Sequence, residues 1–166
     1  RDRARTVVEA VTRVRRELGF GLEAGSKPEL LLLMTQEPVA GLPLLINGFK
    51  DREFMRLAFH ASELGHEVVV VLESIRELRR YLEVNDERVW ASTPALGMRA
   101  KLYSRGQGRW QNSGGELSKF GLTTGELLQV VRTLQGVGMV HRLTLLHFHI
   151  GSQITEIKRI KTAVRE

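Results

Sequence analysis

The chain contains no cysteine among its 166 residues. Disulfides and thiolate chemistry are therefore excluded, which fits a reducing compartment. No apolar run approaches the roughly 20 residues of a membrane span, and no signal peptide is visible. Proline is scarce, at four residues, so few elements are interrupted. Neither a G-x-G-x-x-G fingerprint nor a Walker sequence is present, so a nucleotide is not indicated. Tandem repeats and low-complexity tracts are also missing.

Hydrophobic residues make up 42%, enough for a folded domain with a real core. The net charge is +6, from 25 Lys and Arg against 19 Asp and Glu. Such a balance can point to nucleic acid, anionic membrane or phosphorylated ligands. Here the excess is spread out. Arg1, Arg3, Arg5, Arg13, Arg15 and Arg16 mix with Asp2, Glu9 and Glu17 on the first helix, which reads as a solvated face. The first residue is Arg1, and both ends read as helix, so a piece of a longer polypeptide is expected.

Periodicity orders the elements. Ala4, Val7, Val8, Val11, Val14 and Leu18 keep helical spacing up to Gly19. "FGLEA" (20–24) reads as a strand, and Ser26, Lys27, Pro28 and Glu29 as a capping box opening a helix. "PLLIN" (43–47) and "EVVVVLE" (67–73) are strands, the second covered on both faces. Phe54, Leu57, Ala58, Ala61 and Leu64 mark the helix between them. Ser74 to Glu77 caps the next helix, "PALGMRAKLY" (94–103) is a fourth strand, and Thr123 to Glu126 caps a helix through Val137. "LTLLHFH" (143–149) is the fifth strand, and Ile157, Ile160 and Val164 mark a last helix.

Strict βα alternation implies a parallel sheet with right-handed crossovers. A complete five-stranded doubly wound domain fits the length; five units of an eight-stranded barrel fit the pattern. In both, ligands bind at the C-terminal ends of strands. Those positions hold Glu23 to Ser26, Asn47 to Lys50, Glu73, Arg99 to Lys101, and His147 to Ser152. Each has a plain reading. Ser26 is a cap, Lys27 and Lys50 are solvated, Glu23 pairs with a nearby cation, Arg99 forms an interior or interface salt bridge, and His147 is a hydrogen-bonded core histidine. The His147-x-His149 pair has the spacing of half a metal site, but nothing in the sequence nearby completes it. Gly151-Ser152, at a strand-to-helix turn, suits a phosphate. The long loop "SRGQGRWQNSGGELSKFG" (104–121) favours function over mere connection. Arg105, Arg109 and Trp110 within it are thin support for single-stranded nucleic acid.

Four blocks, "GLEAGSKPELL", "NGFKDREFMRLA", "GMRAKLYSRGQGRWQNSGGELSKFGL" and "LLHFHIGSQI", resemble consecutive segments of the biosynthetic arginine decarboxylases, pyridoxal-phosphate enzymes of the alanine-racemase-like barrel type. The likeness runs from about Phe20 to the end. "VNDERVWAST" (84–93) matches less well. The blocks "NGFKDRE" and "QNSGGELSKFG" favour the arginine branch over the diaminopimelate and ornithine decarboxylases. The resemblance implies an α/β fold that is a partial (β/α)8 TIM barrel, about strands 2–6 with their helices. Residues 1–166 would be an internal segment of the pyridoxal-phosphate-binding domain. The Schiff-base lysine is then expected before Arg1, so no catalytic residue lies within the segment, and a phosphate-binding glycine loop is expected beyond Glu166. A C-terminal β-domain would complete a neighbouring subunit's site.

By the same resemblance, His149 stacks on the cofactor ring and Ser152 contacts its phosphate. Glu23 lies near the cofactor and the lysine, and Arg99 orients an acidic partner of the pyridine nitrogen. His147 would be structural. The implied cofactors are pyridoxal 5'-phosphate and Mg2+. The implied partner is L-arginine, converted to agmatine and CO2 in polyamine biosynthesis, with a homo-oligomeric parent and neither nucleic acid nor membrane as partner. The implied location is cytoplasmic, or plastid in a plant or alga. Two other readings stay open: a non-catalytic relative of the barrel, and a self-contained phosphate- or RNA-binding domain.

Overall fold

The computed structural model describes residues 2–102, 120–151 and 157–165. The elements follow in the order α1 (Asp2–Leu18), β1 (Leu22–Ala24), α2 (Lys27–Met34), β2 (Pro43–Ile46), α3 (Arg52–Glu63), β3 (Glu67–Leu72), α4 (Ile75–Asn85), β4 (Ala95–Ala100), α5 (Thr124–Gly136), β5 (Leu143–Phe148) and α6 (Ile157–Arg165). A short 3-10 turn, Val140–Arg142, leads into β5. The five strands form one sheet in the order β1-β2-β3-β4-β5. A doubly wound sheet reverses its strand order at a switch point. This order has no reversal and is that of consecutive βα units in a barrel.

The chain divides into two compact units, Arg1–Val70 with Arg79–Leu96, and Val71–Leu78 with Gly97–Glu166. In the first unit β1, β2 and β3 pair in parallel, with Glu23 opposite Leu45 and Leu45 opposite Val69. Leu44, Ile46, Val68 and Val70 are buried, as are Phe54, Met55, Ala58 and Phe59 of α3. Asp51 starts α3 by accepting the Phe54 N–H at 2.9 Å, which satisfies one of the orphan amides of the first turn. Gly65, at φ 93°, ends the turn that follows α3.

The weakly matching stretch 84–93 is held by its own contacts. Trp90 lies 4.8 Å from the Phe59 ring centroid and donates Nε1–H to the Val84 carbonyl at 2.9 Å. The Arg88 guanidinium sits 3.7 Å over the Trp90 ring and reaches Glu63 at 2.6 Å. Tyr81, fully buried, donates to the Pro94 carbonyl at 2.6 Å. Such buried aromatic anchors fix the connection into β4 without help from regular structure.

In the second unit Val71, Leu72, Leu78, Met98, Leu122, Val130 and Leu134 are buried. Thr123 and Glu126 form the reciprocal capping box expected from the sequence. Gly97 of β4 is required by packing: a Cβ there would meet Leu145 of β5 at 3.1 Å.

Several expectations need correction. Ser26 is the N-cap of α2 but makes no side-chain cap bond; Glu29 instead accepts the Gly25 N–H at 2.8 Å. The reciprocal box is replaced by a single bond one residue earlier. Arg15 is not on a solvated face but 2% exposed, and Lys50 is fully buried. The strand expected over 94–103 ends at Ala100, and the one expected over 20–24 begins at Leu22.

Candidate cofactor-end residues and family membership

In the first unit the loops after β1 and β2 are locked together. The Asn47 N–H donates to the Ala24 carbonyl at 2.9 Å. Gly48 has φ 71°, and a Cβ there would collide with the Gly25 carbonyl oxygen, so only glycine permits this approach. Beyond it Lys50 turns inward. Its ammonium donates to the Gly48 carbonyl, and its own carbonyl accepts Arg80 Nη1 at 2.8 Å. A buried ammonium persists only where its N–H groups are bonded. Lys50 therefore acts as a strut of the loop, against the solvated reading.

Lys27 is likewise engaged, at 2.7 Å from both Asp51 and Glu53. The hydrogen bonds to Asp51 and then Glu53 raise its pKa. Asp51 is held below the usual carboxylate range by Lys27 first and by the Phe54 N–H second. Glu23 is exposed, and no ion pair to it is found among the described residues. The Oδ1 of Asn47, 8% exposed, has no hydrogen-bond partner among the described residues.

In the second unit, Arg99 of β4 and Glu73, which directly follows β3, form a buried ion pair. Nη1 lies 2.6 Å from Oε1, with the side chains 17% and 7% exposed. Glu77 accepts the Glu73 N–H at 2.8 Å and fixes that backbone. Phe120 covers Arg99, its ring centroid 5.8 Å from the guanidinium carbon. The long loop returns on the same residue. The Leu122 N–H donates to the Arg99 carbonyl at 2.7 Å, and the Lys101 N–H donates to the Leu122 carbonyl at 2.8 Å. Both ends of residues 101–122 are thus pinned to the end of β4, while most of the loop lies outside the described residues.

The two histidines part company. His147 is half-buried within β5, and its Nδ1 is buried. His149 is exposed just past the strand, ahead of Gly151 at φ 105°. Ser152 lies outside the described residues. An exposed imidazole beyond a strand end can lie against a planar heteroaromatic ring. A guanidinium already neutralised on one side keeps donors for a second carboxylate. These features fit a pyridoxal-type cofactor. Sequence reasoning placed Glu73 and Arg99 at the rim without pairing them, and passed over Phe120. Twenty-six residues separate the ion-pair partners, and no local pattern encodes that contact. Among the described residues no three His, Asp or Glu side chains gather as a metal site. Among them, too, no helix is long and apolar enough to cross a membrane.

Residues 6–166 match the model of the pyridoxal-dependent decarboxylase family, pyridoxal binding domain. The chain is 45% identical over 168 aligned residues to the biosynthetic arginine decarboxylase of Shewanella halifaxensis, covering 99% of this chain and 26% of that protein. The crystal structure of the biosynthetic arginine decarboxylase from Campylobacter jejuni superposes with a TM-score of 0.78 at 38% identity, over 92% of this chain and 24% of that one. Diaminopimelate decarboxylase from M. jannaschii shares the fold, with a TM-score of 0.65 at 22% identity over 91% of this chain and 34% of that one. The chain thus spans about a quarter of the length of the curated relatives it matches. With residues 6–166 matched to the family model and its strands in barrel order, this chain belongs to the pyridoxal-dependent decarboxylases, within their pyridoxal-binding domain.

Proposed function

We propose that this chain is an internal segment of the pyridoxal-phosphate-binding barrel of an enzyme that converts L-arginine to agmatine and CO2. The observation that carries the reading is the 45% identity, sustained over 99% of the chain, to a biosynthetic arginine decarboxylase. Polyamine biosynthesis in the cytoplasm is the setting such a product implies, with a homo-oligomeric full-length enzyme.

Pyridoxal phosphate, when bound, supplies the electron sink for the charge left as CO2 departs. His149 offers a ring face against the pyridine. Ser152 contacts the phosphate. Glu23 serves the acidic position near the Schiff-base lysine. Arg99, held by Glu73, orients the carboxylate that keeps the pyridine nitrogen protonated. The lysine itself lies outside the segment. Supporting that assignment, Lys27 is tied to two carboxylates and Lys50 is buried as a strut.

The test supplies the full-length polypeptide with pyridoxal phosphate and carboxyl-labelled L-arginine, L-ornithine or meso-diaminopimelate in parallel. Labelled CO2 should come from arginine far faster than from the others. Preference for ornithine or diaminopimelate would move the enzyme to another branch. No cofactor-dependent release from any of them would leave a non-catalytic relative.

A further inference from the structure

Arg15 is a buried cation of the first unit. It lies in the last turn of α1 and is 2% exposed. Among the described residues its hydrogen bond is a long one, Nη2 to the Leu42 carbonyl at 3.5 Å. Its Nε is buried without a partner among the described residues. Burial, followed by the charge of Arg16, lowers its pKa. A guanidinium nevertheless stays charged in proteins. A buried cation without a counter-charge is strongly unfavourable.

Among the described residues no ion pair to Arg15 is found. Glu37 is committed to Arg16 at 2.9 Å, with both side chains well exposed. His66, immediately before β3, is 6% exposed, and its Nε2 also lacks a partner among the described residues. Burial and the charge of Arg15 favour its neutral form. Among the described residues, two buried nitrogens, Nε of Arg15 and Nε2 of His66, thus have no hydrogen-bond partner. Arg15 lines a cleft of about 370 Å³ with Arg13 and Arg16, against the carboxylates Glu9 and Glu37, with Thr12 and Gln36 on its walls. The lining carries one more cation than carboxylate.

We propose that this cleft binds a small oxyanion, a carboxylate or a phosphate, on the guanidinium of Arg15. Both anions present two oxygens in the spacing that a guanidinium fork matches. Leu42 and His66 precede their strands, whereas the residues assigned to the cofactor lie within strands, as Glu23 in β1 and Arg99 in β4, or after one, as His149 does β5. The anion is therefore separate from the cofactor phosphate. It would fix the C-terminal half of α1 against the strand entries and take no part in the chemistry.

The experiment uses the full-length polypeptide and reads thermal unfolding, which does not depend on turnover. Sodium acetate and inorganic phosphate are titrated at constant ionic strength against chloride. The wild type should show a saturable rise of roughly 2–4 °C, the size of a modest binding free energy in a domain this large. Arg15→Met should show no rise, and its melting point in chloride should be no lower than that of the wild type, because the unpaired charge is gone. Arg15→Lys keeps the charge without the fork and should bind at least tenfold more weakly. Saturation by acetate or by phosphate names the class. No rise with either anion overturns the proposal. An equal rise in Arg15→Met does so too, as an ion effect elsewhere. Should Arg15→Met not fold, unchanged affinity in Arg15→Lys is the overturning result.

Discussion

Arg99 and Glu73 meet at 2.6 Å, one on β4 and the other just past β3, with both side chains largely withdrawn from water. Breaking a buried pair by removing one partner leaves an uncompensated charge and costs about 3–5 kcal/mol. Glu73→Ala should therefore destabilise by that order. The double variant Glu73→Leu/Arg99→Met should recover most of the loss, since apolar replacement of a whole buried pair is close to neutral. Urea-unfolding midpoints for the single and double variants check this. Additive losses would show that the two side chains do not act as a pair.

His147 of β5 and His149 just beyond it should separate in the full-length enzyme. His149→Ala should weaken cofactor binding and lower turnover; a ring stack of the kind known from nucleic-acid bases is worth about 1–3 kcal/mol. His149→Phe should recover part of it. His147→Ala should act on stability, by roughly 1–3 kcal/mol, with little change in cofactor affinity. Cofactor titrations with steady-state rates and thermal melts decide. A silent His149→Ala beside an inactive, folded His147→Ala contradicts the assignment, and rescue of either by zinc would point to metal ligation.

The helix caps offer a cleaner contrast. Thr123→Ala removes the side-chain half of a formed capping box and leaves its backbone N–H bonded to Glu126; it should cost about 0.5–2 kcal/mol. Ser26→Ala removes a hydroxyl that makes no cap bond and should change stability by less than about 0.5 kcal/mol. Equal losses in chemical unfolding would contradict the described geometry.

How far the sequence revealed this depends on the range of the contact. The order of strands and helices was legible because apolar period and glycine stops are local signals, as at Gly19 and Gly65. The Thr123 box was legible for the same reason. Ser26 and Glu29 carry an equally good cap pattern, yet Glu29 bonds Gly25 instead; short motifs name candidate partners, and backbone geometry chooses among them. Arg15 and Lys50 were misjudged because Arg and Lys are mostly exposed in general, and only tertiary contacts bury them. The choice between doubly wound sheet and barrel lay in strand order, which length and alternation leave open. Of the site, the resemblance named His149, Ser152, Glu23 and Arg99. The Glu73 partner and the Phe120 cover are tertiary and appeared only with the fold.

His66 gives a pH dependence with a definite sign. Its pKa is lowered from 6.5 by burial first and by the Arg15 charge second. Below 6.5 the unfolded chain takes up a proton on this ring that the folded chain resists, so stability falls as pH drops from 6.5 toward the folded pKa. Above 6.5 both states are neutral and the effect vanishes. The difference in stability between wild type and His66→Leu should therefore be flat above pH 6.5 and shift against the wild type below it. A difference independent of pH from 5 to 8 would contradict this.

The most direct test of the central claim is reductive trapping. The full-length polypeptide is incubated with pyridoxal phosphate, reduced with borohydride and mapped by peptide mass, with agmatine formation assayed in parallel before reduction. Agmatine from L-arginine and a single phosphopyridoxyl-lysine outside these 166 residues are expected, with the segment's own six lysines, at 27, 50, 101, 119, 158 and 161, unmodified. A stoichiometric label on any of those six lysines, or agmatine formation by the isolated 166 residues, would contradict the assignment.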